Sequence, residues 1–436
     1  MMRARLVVIF GIAICPVVAL GQQTAVPPPP PAVSPPISIS DAISAAMRQV
    51  SALQQAEIDQ RIAREDVRQA EAAVLPRVRD SFIIIYNSRA PGSNDPSFIA
   101  QNALHEYQNL LGVTGDWSFG LFAAIRRSRA LLDAARAGTE VARRALTRGV
   151  SEAYYGAALA TTRRATAEQS LAAAEEFERV TELNYRAGEV PEVDSIRARL
   201  QTASRRDDLA QAVAAEAVAN ASLGTLLGYG IERPPSIESL PQAVDVHEIE
   251  SLTAASVARR PEFAQLEAQV RAAHADIGVA RADLLPRITY SLDEGFDTNS
   301  LNAADRRLHH GVLATANVDV PIFDWGASRS RIRQAELRAR GAELQRQLAS
   351  RDFYLQFTVA RQQALTAADR VDNARRAVAD AERNVTISVA RYRGGEAPIL
   401  EATDAMATLA VQRQVLEQAL FDYQTARVRL REAAGE

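Results

Sequence analysis

The chain has 436 residues, enough for two or three ordinary domains or for one elongated architecture. Apolar residues make up 47% and aromatics only 6%; much of the apolar fraction is alanine, which suits long, closely packed helices better than a thick core. A formal net charge of -3 excludes the basic excess that a nucleic-acid binder needs to release counterions.

The first segment reads as an export signal. Arg3 and Arg5 precede an apolar run from Leu6 to Val18, and Ala19-Leu20-Gly21 supplies small residues at a cleavage site, so residues 1–21 are expected to be a secretory signal peptide. That run is shorter than the about 20 residues a membrane-spanning helix requires. Ile14, ahead of the single Cys15, is not the small residue of a lipoprotein signal, and one cysteine cannot form an intrachain disulfide. Residues 22–38 hold Pro27 to Pro31 and Pro35-Pro36, which predict a stiff, extended leader. No later stretch reaches 18 consecutive apolar residues, so no transmembrane helix is expected to follow.

The remainder is written twice. A helix is predicted over Ser40 to Val74, opened by Ser40-Asp41 ahead of Ile43 and stopped at Leu75-Pro76, where proline favours extended backbone. An extended segment, a polar loop around Pro91-Gly92-Ser93-Asn94-Asp95-Pro96 and a second extended segment lead into a helical run from Phe122 to Arg186. The same order follows from Thr253: a helix to Leu284, a Leu285-Pro286 step, a loop over Asp297 to Arg307 and a run from Ala327 to Arg393. Leu75-Pro76-Arg77-Val78 recurs as Leu285-Pro286-Arg287-Ile288, and Tyr185-Arg186-Ala187-Gly188-Glu189 as Tyr392-Arg393-Gly394-Gly395-Glu396. Such a period, about 207 to 210 residues, is a duplicated half-molecule, not a solenoid. The expected units are 39–230 and 251–436, joined by a non-helical connector, 231–250, within the Gly- and Pro-bearing stretch from Gly228 to Ile249.

The returning extended segments alternate. Leu111, Val113, Gly115, Trp117, Phe119 and Leu121 share one parity, against Gly112, Thr114, Asp116, Ser118 and Gly120; Val312, Ala314, Ala316, Val318, Val320 and Ile322 alternate with Leu313, Thr315, Asn317 and Asp319. Period two over about 11 residues fits tilted strands crossing a bilayer with one apolar and one polar face. The outgoing pattern is shorter, with Ile288, Tyr290 and Leu292 in the second half and a plain apolar run from Phe82 to Tyr86 in the first. Four strands cannot close a barrel, and lipid tolerates no open sheet edge, so membrane strands require several chains to share one barrel.

The helices carry a different arithmetic. About 60 residues at 1.5 Å each span roughly 90 Å, far more than a bilayer. Val371, Ala374, Val378, Ala381, Val385, Ser388 and Tyr392 step by three and four, as do Met406, Leu409, Leu416, Leu420, Tyr423 and Leu430, with Arg413 and Arg427 on the seam. That is a coiled-coil seam with small residues for close approach.

The doubled order, the Leu-Pro steps, the Pro321-Ile322-Phe323-Asp324-Trp325-Gly326 segment and the two Tyr-x-x-Gly turns resemble the outer membrane efflux protein (TolC-like channel-tunnel) family, from about Ile39 to Gly435. The resemblance implies an α plus transmembrane-β fold: a long antiparallel coiled-coil helical tunnel, and four strands per chain in a shared twelve-stranded barrel of a homotrimer. It implies outer-membrane lipid around the barrel, and a passive duct joined through a periplasmic adaptor to an inner-membrane transporter. By the same resemblance Ala187, Gly188, Glu189 and Val190, with Gly394, Gly395, Glu396 and Ala397, are expected at the adaptor-contact tip. Asp194, Glu401 and Asp404 correspond to acids at the pore entrance, and Tyr392 to a tyrosine that latches it. Glu401 stands where the family prototype has Asp, and Ala397 where it has an arginine that braces the closed state. Three copies of each carboxylate would form rings that favour cations, with mutual repulsion raising some of their pKa values.

Nothing in the residues points to catalysis. His105, His247, His274, His309 and His310 lack metal-ligand spacings, and no phosphate-binding glycine loop or nucleophile motif is present, so no enzyme, cofactor or metal is expected. The alternative architecture, a periplasmic adaptor or structural coiled-coil protein, would carry one helical hairpin between soluble β domains.

Overall fold

The computed structural model of the chain describes residues 36–97, 103–229 and 236–436. The expected signal peptide with Cys15, the leader up to Pro35, and Gly230 with Pro234-Pro235 of the connector lie outside those residues.

The first helical segment is not continuous. Helix α1 (Ile39–Ala46) is followed by a turn and then α2 (Ala52–Ala72). The cap is Ser38, not Ser40: its Oγ accepts from the Asp41 N–H at 3.2 Å, satisfying one of the unpaired donors of the first turn. Its counterpart also divides, into a 3-10 turn (Ala254–Arg259) and α6 (Pro261–Ala282). Here the cause is Pro261. It has no N–H for a helix interior but fits a first helical position, and it holds Arg260 in extended backbone at ψ 130°.

Strands β1 (Arg77–Tyr86) and β2 (His105–Trp117) come between α2 and α3 (Phe119–Arg186); α4 (Glu192–Leu227) completes the first hairpin. After the connector come α6, β3 (Arg287–Thr298), the short α7 (Ala303–Leu308), β4 (His310–Asp319) and the second hairpin, α8 (Ala327–Arg393) with α9 (Ile399–Ala433). Both returning strands end sooner than the alternation suggests. Ser118, at φ -153°, caps a helix that already contains Phe119 and Leu121, while Pro321 keeps Val320 and Ile322 out of β4. The connector holds α5 (Val246–Ser251), started by the Asp245 carboxylate accepting from Glu248 N–H at 3.2 Å, so its end is helical where a non-helical stretch is predicted.

The four strands form one antiparallel sheet in the order β1-β2-β3-β4. Register fixes the faces, because directly opposed residues point the same way. Val78, Val113, Leu292 and Ala314 lie abreast on the apolar face, as do Trp117, Ile288 and Val318. One row on that face, Asp80, Leu111, Glu294 and Val312, contains two acids. On the polar face Arg77, Thr114, Ser291 and Thr315 stand together, and the Ser291 hydroxyl donates to Asp293 at 2.7 Å. Gly112 admits Asp293 against its backbone; a Cβ there would overlap the carboxylate.

At 68 and 67 residues, α3 and α8 each run about 100 Å from the sheet. Their packing is alanine-rich, as the composition suggests. Ala157 and Ala158 of α3, Ala364, Ala368 and Val371 of α8, and Ala419, Leu420 and Tyr423 of α9 are buried in one cluster. Such small side chains permit close helix approach. The connector seals this cluster with Leu240 and Ile249, and the Tyr423 hydroxyl accepts from Asp245 N–H at 2.8 Å. On the α8 seam Val371, Ala374, Ala381, Ser388 and Tyr392 are buried. On α9 the seam arginines Arg413 and Arg427 are half-buried and pair with Glu382 at 2.9 Å and Glu248 at 2.6 Å.

Candidate functional site at the paired helical turns

Each hairpin turns in the same way. Gly188, at φ +78°, lets its N–H reach Tyr185 O at 2.9 Å while Glu189 N–H reaches Asn184 O at 2.9 Å. Gly395, at φ +73°, repeats this with Tyr392 O at 3.0 Å and Arg391 O bonded by Glu396 N–H at 2.9 Å. Both are Schellman closures, which need a left-handed residue that glycine adopts without a Cβ penalty. Pro191 and Pro398, extended, then cap α4 and α9. Ala187, Gly188, Glu189, Gly394, Gly395 and Glu396 are exposed; Val190 and Ala397 are half-buried, with Val190 packed on the small core beneath.

That core brings the turns together. Phe177, Ala198, Tyr392, Ile399 and Ala402 form it, and the Phe177 and Tyr392 rings lie 5.6 Å apart. The Tyr392 hydroxyl donates to Asp194 Oδ2 at 3.4 Å, linking α8 to α4. Burial pushes the Tyr392 phenol up, and the Asp194 charge adds to this, so the donor keeps its proton through the neutral range.

The four residues expected at the gate therefore divide. Asp194 is buried at 8% exposure against Tyr392, whereas Asp404 is exposed. Glu401 is half-buried and meets the Arg391 guanidinium at 2.5 Å. Sequence reasoning groups the three acids as one set and misses Arg391. The signal for that pair is hairpin symmetry, since Arg391 and Glu401 are equidistant from Glu396. On the first hairpin the Ser195 hydroxyl donates to Glu182 at 2.6 Å, with Arg186 at 3.0 Å on the same carboxylate. Those two contacts hold Glu182 below its usual range. Among the described residues no group of three or more His, Cys, Asp or Glu could hold a metal ion.

A sheet with one apolar face, joined to helical hairpins of this length, is the arrangement of a known family. The family model for outer membrane efflux proteins matches residues 42–229 and 252–436. The chain belongs to the outer membrane efflux protein family. Its location is the outer membrane. Among curated relatives, protein CyaE of Bordetella pertussis is 31% identical over 56% of this chain and 52% of its own length. The cation efflux system protein CusC of Escherichia coli K12 is 26% identical over 68% and 66%. These matches span about half to two thirds of the relatives. The fold is shared with solved structures of CusC, with a TM-score of 0.80 at 21% identity over 91% of this chain and 92% of that one, and of VceC from Vibrio cholerae, 0.80 at 20% over 91% and 96%.

Proposed function

We propose that three copies of this chain form a passive outer-membrane exit duct, a twelve-stranded barrel continued by a helical tunnel. It is coupled at its tip through a periplasmic adaptor to an inner-membrane transporter, as part of a tripartite efflux or type I secretion system. The observation that carries this reading is the unclosed sheet. β1 and β4 each leave one edge unpaired among the described residues, and the sheet's apolar face suits lipid. An open edge in lipid costs several kcal/mol per unpaired backbone group, and pairing β4 of one copy with β1 of the next removes it.

The duct has no chemistry of its own to perform. Its polar face lines the barrel, and the exposed turns around Gly188 and Gly395 receive the adaptor's helices. Below them the Tyr392 to Asp194 contact holds the tip closed, and Glu401 with Asp404 gives the mouth its preference for cations. The cargo follows from the transporter: sequence relatives include a cation efflux system protein and a pyoverdine export outer membrane protein.

Extraction of the protein from outer-membrane fractions, followed by mass measurement in detergent and conductance in planar bilayers, tests the reading. A conducting trimer is expected. A monomer stable in plain buffer overturns it.

A further inference from the structure

A second contact between the hairpins lies deep in the helical wall, far from the turns. Glu417 is about 27 Å along α9 from Ile399, at 1.5 Å per residue, and only 6% exposed. The Thr166 hydroxyl of α3 donates to its Oε1 at 2.5 Å, and next to it Arg163 Nη2 donates to Gln418 Oε1 at 2.8 Å. Among the described residues nothing hydrogen-bonds Glu417 Oε2 or Arg163 Nε, although both atoms are buried. Both residues line a half-open cavity of about 350 Å³ between α3, α4 and α9.

The charges around this carboxyl are engaged elsewhere. From α4, Arg205 is paired with Asp208 at 2.8 Å. On α9 itself Arg413 is turned to Glu382 of α8 at 2.9 Å, and from α3 Arg163 has its Nη2 on Gln418. An ionised carboxylate here would be desolvated with one hydrogen bond and no ion pair, which is costly, whereas a neutral carboxyl is not.

We infer that Glu417 is a second, proton-dependent clasp between the two hairpins, neutral while α9 lies against α3 and ionised once the wall loosens. This rests on the duct reading, in which the hairpins move relative to each other. Burial raises the Glu417 carboxyl above its ordinary value, against the Thr166 bond and the Arg163 and Arg413 charges. When the hairpins part, water reaches the carboxyl and its ordinary value returns. The close-packed form therefore binds the proton more tightly. Its advantage is complete below the ordinary carboxylate range and is lost as pH rises through the raised value. The cavity beside Glu417 leaves room for water to enter as α9 separates.

The test uses the trimer in lipid nanodiscs with spin labels at Gln169 of α3 and Val415 of α9, the distance being measured from about pH 5 to about pH 9. The populations are expected to pass from short to long with rising pH, changing by at most about tenfold per pH unit, the slope of one proton. Glu417→Gln should stay short throughout, and Thr166→Val should lengthen at lower pH than the parent. The inference is overturned if the parent shows no shift, or if the shift survives in Glu417→Gln. The parent titration decides even where a variant fails to assemble. Absence of a conducting trimer would instead count against the duct itself.

Discussion

Tyr392 on α8 and Asp194 on α4 meet across the two hairpins, the phenol donating to the carboxylate at 3.4 Å with both side chains more than nine-tenths buried. They are far apart in the chain, yet they join α8 to α4 beside the small core on which both turns rest. Removing the hydroxyl by Tyr392→Phe keeps the ring against Phe177 but strands a buried carboxylate, at a cost of about 1–3 kcal/mol. The closed tip should weaken about tenfold or more against the open one, seen as higher open occupancy in single-channel recordings. Unaltered occupancy would show that this contact does not restrain the tip.

The two glycines of the second turn separate shape from surface. Gly394 has φ -80° and Gly395 has φ +73°, with open space around the latter. Gly394→Ala should be silent. Gly395→Val forces a β-branched residue into the left-handed region at about 1–2 kcal/mol, and it should weaken adaptor capture while the trimer keeps its mass. Loss of the trimer instead would place the turn in assembly.

Neutralising Glu401→Gln together with Asp404→Asn should lower cation over anion permeability in bilayer reversal-potential measurements. Glu401→Gln alone should do less, because Arg391 already offsets that carboxylate. If the double variant retains its selectivity, neither group faces the pore.

Parity within β2 can be tested with two neighbouring substitutions. Val113→Arg puts a charge on the apolar face at an expected cost of about 2–4 kcal/mol near the bilayer midplane, while Thr114→Arg, on the polar face, should be tolerated. Heat-modified gel mobility and yield from outer-membrane fractions report the difference. The opposite pattern would mean the faces are assigned the wrong way round, and equal behaviour that neither face is set against lipid.

Glu262 offers a pH signature outside the sheet. Burial works to raise its carboxyl, but the Arg260 hydrogen bonds at 2.8 and 3.3 Å prevail and hold it below the ordinary range. Its stabilisation is present above the ordinary carboxylate value and is lost as pH falls through the lowered one. Glu262→Gln should lower the melting temperature at neutral pH, and the difference should vanish in acid.

Much of this was legible in the residues. Alternation placed the strands and their faces, Leu-Pro steps placed the ends of the preceding helices, and Tyr-x-x-Gly placed the turns, because each is a local rule of backbone and pleat. The same locality explains the errors. Alternation continued past Trp117 into a helix begun at Phe119, and a helical pattern concealed the break at Pro261. Glu417 escaped notice because its place on α9 looks like an ordinary polar gap in the seam.

The sequence by itself determined the element order, the apolar and polar faces of the strands, and the glycines that end the two longest helices. Those depend on neighbours within a turn or a pleat. Only the tertiary structure decided that Asp194 is buried against Tyr392 while Asp404 is exposed, that Arg391 reaches Glu401, and that Thr166 meets Glu417. Such contacts join residues on different helices, and the way two helices pack, not the period of either one, sets whether a carboxyl meets water, a cation or a hydroxyl.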